Sequence, residues 1–326
     1  MKKRIICLLI SFSLLLVTFT GAISEEVKIN FTFQDDGTDI RFLTSLLPEH
    51  KLPVIPPPEG MESKDVFALL QPDLLPALIR GFGETITEWN KEKASTEKGF
   101  FVGDLFEHAG EKEVIDINAN DTEILISRLA GHLAETETGG QDEAAAAKRA
   151  ENISSALKFL EKQIAGEETT ARISTFDKNR YFTIDIQNHQ ETVLSLSADL
   201  SQKDTVCLLI CRGAGDAVYY EEINCVSHEA ETDYTISLYR TEAPSFRIIK
   251  EQECMQFSEI RFNKKSEDTF DFEGEIQSVL LPSAAKINGG KSIDEDGKGT
   301  ISVDMAYDEQ NQGIPGMMIK ILDSIF

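Results

Sequence analysis

Basic residues are scarce in this sequence, and their scarcity argues against nucleic-acid binding. The 326 residues include 32 Lys and Arg against 56 Asp and Glu, which gives a formal net charge of −24 at pH 7. A chain this acidic is repelled by the phosphates of nucleic acids and by anionic lipid surfaces. We therefore expect no nucleic-acid partner.

Long apolar runs are also nearly absent, because only the N-terminus carries one. Three basic residues at 2–4 precede a largely apolar stretch at 5–23. This order, with small residues at its end, is typical of a Sec-type signal peptide, cleaved here after Ala22 or Ser24. The sequence thus predicts a secreted or cell-envelope protein. If the stretch stays uncleaved, it approaches the about 20 residues of a spanning helix and would be the chain's only membrane contact.

Motifs for catalysis or cofactor binding are missing from the sequence. It contains no G-x-S-x-G elbow and no P-loop, and none of its five histidines pairs with another at metal-ligand spacing. The Gly-x-Gly fragment at 213–215 joins two predicted strands, whereas a phosphate loop leads from a strand into a helix. We predict a non-catalytic protein without a cofactor. A secreted hydrolase is an alternative that rests only on compartment and size.

Cysteines are few, and four of the five follow the predicted signal peptide: Cys207, Cys211, Cys225 and Cys254. In an oxidising compartment they could form two disulfides. Cys207 and Cys225 would face each other if the turn between their strands were centred near Asp216, so this pair is the candidate disulfide. The alternative is that the cysteines are free thiols in buried strands.

An acidic segment at 292–299 offers a weak candidate for a calcium site. With Gly297 as the sixth position of a calcium loop, Asp294 and Asp296 occupy the third and fifth positions. The match fails elsewhere, because Ser292 stands at the first position and Val303 at the twelfth, where a bidentate Glu is needed. An Asp-Gly pair between alternating strands is also a strong hairpin signal. We favour the hairpin and keep calcium as the weaker hypothesis.

Hydrophobic periodicity divides the chain into three parts. After the signal peptide at 1–24, residues 25–170 combine an alternating strand, a proline-rich connector and segments of helical period. Two of those helical segments flank Gly139-Gly140 and predict a helical hairpin. From 171 to 326 the period changes to two, ending in an amphipathic C-terminal helix. The predicted fold is therefore α+β: an antiparallel meander of about eight strands, plus an N-terminal strand, covered by the hairpin and further helices.

These features together predict an exported binding or interaction protein whose partner the sequence does not identify. A carrier of an apolar ligand or lipid is the alternative, since a curved antiparallel sheet with helices at its mouth can enclose a cavity. The residues expected to line such a cavity are Phe182, Phe246, Phe257 and Phe272. The competing interpretation is that these four side chains pack an ordinary core.

Overall fold

The structure is a computed structural model that describes residues 27–44, 54–102, 107–138, 143–164, 169–188, 191–214, 217–241, 253–266, 268–279 and 284–307. The predicted signal peptide and C-terminal helix lie outside these ranges. The chain divides into two compact units. Unit 1 comprises Met1–Pro72, Glu229–Tyr234 and Met255–Phe326, and unit 2 comprises Asp73–His228 and Thr235–Cys254.

Fifteen strands and four helices make up the described secondary structure. The strands are β1 (Val27–Asp35), β2 (Ile40–Thr44), β3 (Val54–Ile55), β4 (Ser95–Val102), β5 (Glu107–Ile117), β6 (Thr169–Phe176), β7 (Tyr181–Asn188), β8 (Glu191–Asp199), β9 (Thr205–Ala214), β10 (Ala217–Ser227), β11 (Glu231–Thr241), β12 (Glu253–Lys264), β13 (Phe270–Ser278), β14 (Ala285–Ile293) and β15 (Gly299–Tyr307). The helices are α1 (Ser63–Leu69), α2 (Leu74–Lys93), α3 (Ala119–Thr138) and α4 (Glu143–Ile164). Within the described ranges, no helix combines the length and the apolar character needed to cross a bilayer.

The predicted α+β class with an antiparallel sheet is confirmed, but the predicted strand number is wrong. The strands form one open, mostly antiparallel sheet of fifteen rather than about nine. Ten of them, β6 to β15, occupy the region expected to hold eight. The hairpin of β4 and β5 lies in the region expected to be helical. Its sequence lacks a clean alternation, because charged residues occupy both of its faces.

Unit 1 contains the strands β3-β2-β1-β15-β14-β13-β12 in that spatial order. One face of its sheet is apolar, and its core consists of Ile29, Phe31, Phe42, Phe270, Phe272, Ile276, Ala285, Ile287, Val303 and Met305. On β13 these buried residues alternate with the exposed residues Asp271, Glu273 and Glu275, as expected for a sheet with one wet face. Helix α1 lies on the apolar face and contacts β1 and β15.

Unit 2 contains the strands β10-β9-β8-β7-β6-β5-β4, with α2 packed against one face. Ile86 and Trp89 of α2 pack with Ile115 on β5 and Ile173 on β6. Farther along the sheet, Phe82 of α2 packs against Phe182, with ring centroids 5.1 Å apart. The helices α3 and α4 contact each other, in agreement with the predicted helical hairpin.

A side-chain cap marks the start of α3. Asn118 Oδ1 accepts a hydrogen bond from the Asp121 amide at 3.1 Å, and the helix begins at the next residue, Ala119. Asp121 also accepts a bond from the ammonium group of Lys93 on α2. Its negative charge in the first turn complements the helix dipole.

Candidate interaction surface

Strand β4 forms one end of the sheet order, and it pairs with β5 on one side only among the described strands. Its eight residues run antiparallel to β5 from Ser95, opposite Val114, to Val102, opposite Glu107. The other end of the order is β3, which has only two residues. An edge strand presents unpaired backbone N–H and C=O groups. The edge of β4 is therefore the longer of the two places where a further strand could add.

Ion pairs fix β4 to its neighbours on one face of unit 2. Glu97 contacts Lys112 on β5 at 3.0 Å and Arg172 on β6 at 2.6 Å. The hydrogen bond from Lys112, followed by the charge of Arg172, lowers the pKa of Glu97 below its ordinary value. Arg172 also lies 3.8 Å from Asp116. The edge strand is thus held by a network of charges rather than by burial alone.

The other face of β4 carries one more ion pair and a large exposed ring. Lys98 contacts Glu111 on β5 at 2.8 Å, and this pair raises the pKa of Lys98 and lowers that of Glu111. Phe100 shares this face, two residues along the strand, and is 63% exposed. The ring offers apolar area that a side chain of a partner could cover, next to the unpaired backbone of the edge.

Beside this edge, a small aromatic and basic cluster lies on the face of Glu97. The rings of Phe101 and Phe176 meet edge to face at 5.8 Å, and His108 meets Phe176 at 5.7 Å. Lys112 Nζ lies 4.6 Å from the centroid of Phe101. On the same face, Gly99 and Gly110 oppose each other with φ of +156° and +144°, which only glycine adopts readily.

This arrangement suits the binding of an extended chain. Strand addition takes its affinity from main-chain hydrogen bonds and its specificity from side-chain contacts on alternate residues. The surface that we call the β4 edge consists of the outer backbone of β4 together with Phe100. This surface could not be predicted from periodicity, because Glu97-Lys98-Gly99-Phe100 shows no period of two. The one local feature that marks it in the sequence is the pair Phe100-Phe101, which stands in a stretch of charged residues.

The candidate disulfide does not form in the structure. Cys207 lies opposite Asn224 and Cys225 lies opposite Val206, so the two thiols are on opposite faces of the β9–β10 hairpin. The turn is centred half a residue before Asp216, which shifts the pairing by one residue and reverses the faces. None of Cys207, Cys211, Cys225 and Cys254 is in a disulfide. Burial, followed by the charges of Glu222 and Asp199, raises the pKa of Cys207 to about 11.

The candidate calcium residues lie in the turn between β14 and β15. Asp294 Oδ1 accepts hydrogen bonds from the amides of Asp296, at 3.0 Å, and Lys298, at 2.8 Å. The Gly297 amide bonds to the Asp294 carbonyl with φ of +79° at Gly297. The carboxylate of Asp294 thus serves the hairpin turn. Across the described part of the chain, no group of three His, Cys, Asp or Glu side chains is arranged to hold a metal ion.

Three of the four phenylalanines proposed to line a cavity are among the described residues. Phe182 is buried under α2 in unit 2, and Phe272 is buried in the core of unit 1. Phe257 is 38% exposed on β12, and Phe246 lies outside the described residues. The contacts of Phe182 and Phe272 are those of packed core residues, as in the competing interpretation.

No known protein family, curated protein or solved structure shows a significant match to this chain.

Proposed function

We propose that this chain is an exported, non-catalytic interaction protein that binds an extended segment of a partner protein along the β4 edge. The observation that carries the proposal is the eight-residue edge strand with Phe100 left 63% exposed beside it. Export is supported by the basic and apolar pattern at residues 2–23. The partner segment would pair with the backbone of β4 and cover Phe100 with an apolar side chain.

The local charge at the β4 edge also favours an approaching chain. The whole protein carries a formal charge of −24, but the side chains around the edge form matched pairs. Glu97 is neutralised by Lys112 and Arg172, and Lys98 by Glu111. A partner approaching this edge therefore meets little of the repulsion that the rest of the surface exerts on acidic molecules.

Site-specific photo-cross-linking tests the proposal. A photoreactive phenylalanine analogue is placed at Phe100, or at Phe257 as a matched control, since Phe257 is the exposed phenylalanine of a different strand. The full chain is produced in its native cells and irradiated. We expect one discrete adduct from position 100 and none from position 257. Equal adducts from both positions, or none from position 100, would overturn the assignment of the edge.

A substitution identifies whether Phe100 itself contributes to binding. The variant Phe100→Ser is combined with a photoreactive residue at Thr96, which is also on β4. The exposed ring contributes little to folding, so the free energy of unfolding should stay within about 0.5 kcal/mol of that of the parent chain. The adduct formed from position 96 should weaken strongly. An undiminished adduct would show that the partner does not contact Phe100.

A further inference from the structure

Two arginines and a tyrosine form a row across three neighbouring strands of unit 2. Arg212 on β9 lies directly opposite Tyr219 on β10, so their side chains share a face of the sheet. Arg240 lies near the end of β11, in the part of that strand that belongs to unit 2, and β11 is the other neighbour of β10. Arg212 and Tyr219 are half-buried and Arg240 is exposed. All three side chains can therefore be reached from solvent.

The tyrosine ring contacts both arginines. The guanidinium carbon of Arg212 lies 5.8 Å from the centroid of the Tyr219 ring, and that of Arg240 lies 6.0 Å from the same centroid. These distances are those of cation–π contacts. Such a contact positions a guanidinium group, but the ring carries no charge that neutralises it. The N–H groups of both guanidinium groups therefore stay available as hydrogen-bond donors.

No described carboxylate neutralises these two positive charges. Among the residues that the structure describes, neither guanidinium group forms an ion pair or a hydrogen bond, and the Tyr219 hydroxyl forms no hydrogen bond. The next acidic residue along β10, Glu221, lies opposite Ile210 rather than opposite an arginine. By contrast, Arg261 contacts the carboxylate of Asp233 at 2.8 Å. In a chain with 56 acidic residues against 32 basic ones, two arginines left in this way point to an anion from outside the chain.

We propose that Arg212, Tyr219 and Arg240 bind the phosphate group of a small ligand. Guanidinium groups bind phosphate through paired N–H donors, and a tyrosine hydroxyl supplies one further donor. The two positive charges match the charge of about −1.5 to −2 that a phosphate monoester carries at neutral pH. The outer two of the three strands are two spacings apart, which is about 10 Å. Long arginine side chains on these strands can converge on one group above the tyrosine between them.

The charge of the whole chain favours a small anion over a polyanion. The formal net charge of −24 repels a polymer with many negative charges, and this repulsion grows with each charge that the polymer carries. The two arginines neutralise only one phosphate group. A small molecule with a single phosphate therefore gains all of the contacts and meets the least repulsion. A carboxylate has one negative charge and would leave one of the arginines unneutralised.

NMR of the arginine side chains tests the proposal. The Nε–Hε signals of Arg212 and Arg240 are assigned from the variants Arg212→Gln and Arg240→Gln. The full chain is then titrated with inorganic phosphate at about pH 8, where phosphate is mainly a dianion, and at constant ionic strength. We expect both signals to shift to saturation with one dissociation constant. Acetate should bind at least about tenfold more weakly, because it carries half the charge.

Matched variants separate a local site from a general effect of charge. Arg212→Gln and Arg240→Gln should each weaken phosphate binding about tenfold or more, measured on the signal of the other arginine, because a charge-assisted hydrogen bond is lost. Tyr219→Phe keeps the ring and removes the hydroxyl, so its loss should be smaller, about fivefold. Arg180→Gln removes the same charge from an arginine that already contacts Asp177 at 3.3 Å, and it should leave binding unchanged.

Shifts that do not saturate, or that chloride produces equally, would overturn the proposal and leave the three residues as a cation–π stack only. Equal affinity for acetate would overturn the assignment to phosphate. The source of the phosphate is tested by titrating glycerol phosphate and a phosphoserine peptide in parallel. Tighter binding of the peptide would assign the phosphate to a partner protein and contradict the small ligand, whereas equal or tighter binding of glycerol phosphate supports it.

Discussion

Cys207 and Cys225 lie on opposite faces of one β-hairpin, since Asn224 is the residue directly across from Cys207. A disulfide between them would require a cysteine Cβ to pass through the sheet. The thiol of Cys207 is also held protonated, because burial raises its pKa to about 11. These two facts determine how the cysteines should react.

Native alkylation should therefore modify one cysteine first. A chain without residues 1–24 has four cysteines, of which only Cys254 is exposed. With iodoacetamide at pH 8 we expect one rapid mass increment, located at Cys254, and slow reaction at Cys207. In Cys254→Ser the rapid increment should vanish. An intact mass that rises by two hydrogens on reduction would reveal a disulfide and contradict the structure.

Gly289 on β14 has no room for a side chain. An added Cβ would lie 2.0 Å from the backbone oxygen of Ser302 and 2.6 Å from the ring of Phe272. The backbone oxygen cannot move without disturbing the β14–β15 pairing, so Gly289→Ala should lower the free energy of unfolding by about 2 kcal/mol or more. Urea unfolding followed by circular dichroism measures the change.

The control for this substitution is Gly131→Ala on α3, where an added Cβ meets nothing within 4 Å. In a helix interior, alanine is favoured over glycine by up to about 1 kcal/mol. The control should therefore raise stability slightly. If Gly289→Ala is as harmless as Gly131→Ala, the close approach of β14 to β15 is wrong.

Asn90 on α2 ties the helix to the sheet of unit 2. Its Nδ2 donates to Thr175 Oγ1 on β6 at 2.8 Å and to the carboxylate of Glu113 on β5. Asn90→Ala leaves the buried Thr175 hydroxyl without this donor, so we expect a loss of about 2 kcal/mol in unfolding free energy.

Asn30→Ala is the matched control, because Asn30 also donates to a carboxylate, that of Asp304 at 2.6 Å, but is exposed. The control should change stability by no more than about 0.5 kcal/mol. Equal losses in the two variants would mean that the buried position of Asn90 gives its hydrogen bonds no added value. The same urea measurement serves both.

Asp36 should titrate well below an ordinary aspartate. Its carboxylate accepts hydrogen bonds from the amides of Asp39, at 2.9 Å, and Thr38, at 3.1 Å, and from Arg41 Nε at 2.7 Å. In that order, these bonds lower the pKa of Asp36 far below its usual value of 3.8. Its contribution to stability is therefore complete above about pH 4 and is lost as the pH falls toward the folded pKa.

Carboxyl NMR titration of Asp36 measures this shift. In Arg41→Gln the pKa should rise but stay below 3.8, because the two amide bonds remain. In Asp36→Asn the part of the acid-induced loss of stability that belongs to Asp36 should disappear. A wild-type midpoint near 4 would show that the turn does not hold the carboxylate as the structure has it.

Sequence periodicity located the elements that burial dominates. The sequence alternates at Phe182, Ile184 and Ile186, and these residues lie on β7; the apolar residues spaced by three and four before Trp89 lie on α2. The unbroken apolar run at 206–211 is typical of a strand covered on both faces, and on β9 the neighbouring residues Leu208 and Leu209 are both buried.

The remaining elements depend on contacts that are distant in the sequence. Glu97 and Lys98 point to opposite faces of β4 and are satisfied by charges on β5 and β6, so no alternation marks that strand. The Cys207 pairing depends on the centre of a turn, which a one-residue shift reverses. From the sequence, Lys291 is expected at the surface because it is charged. In the structure it is buried and donates a hydrogen bond to the Leu70 carbonyl. The β4 edge could not be predicted either, because the sequence of β4 does not alternate.

Because the first strand pairs with the last, β1 cannot complete its pairing until almost the whole chain has been synthesised. Val27 on β1 pairs with Tyr307 on β15, so nearly the whole chain lies between the two partners. At about 5–20 residues per second, a ribosome needs roughly 15–55 s to supply the missing strand. During that time one side of β1, with Ile29 and Phe31, has no neighbour to pair with. A nascent chain stalled before β15 would therefore present an open, aromatic-rich strand to chaperones.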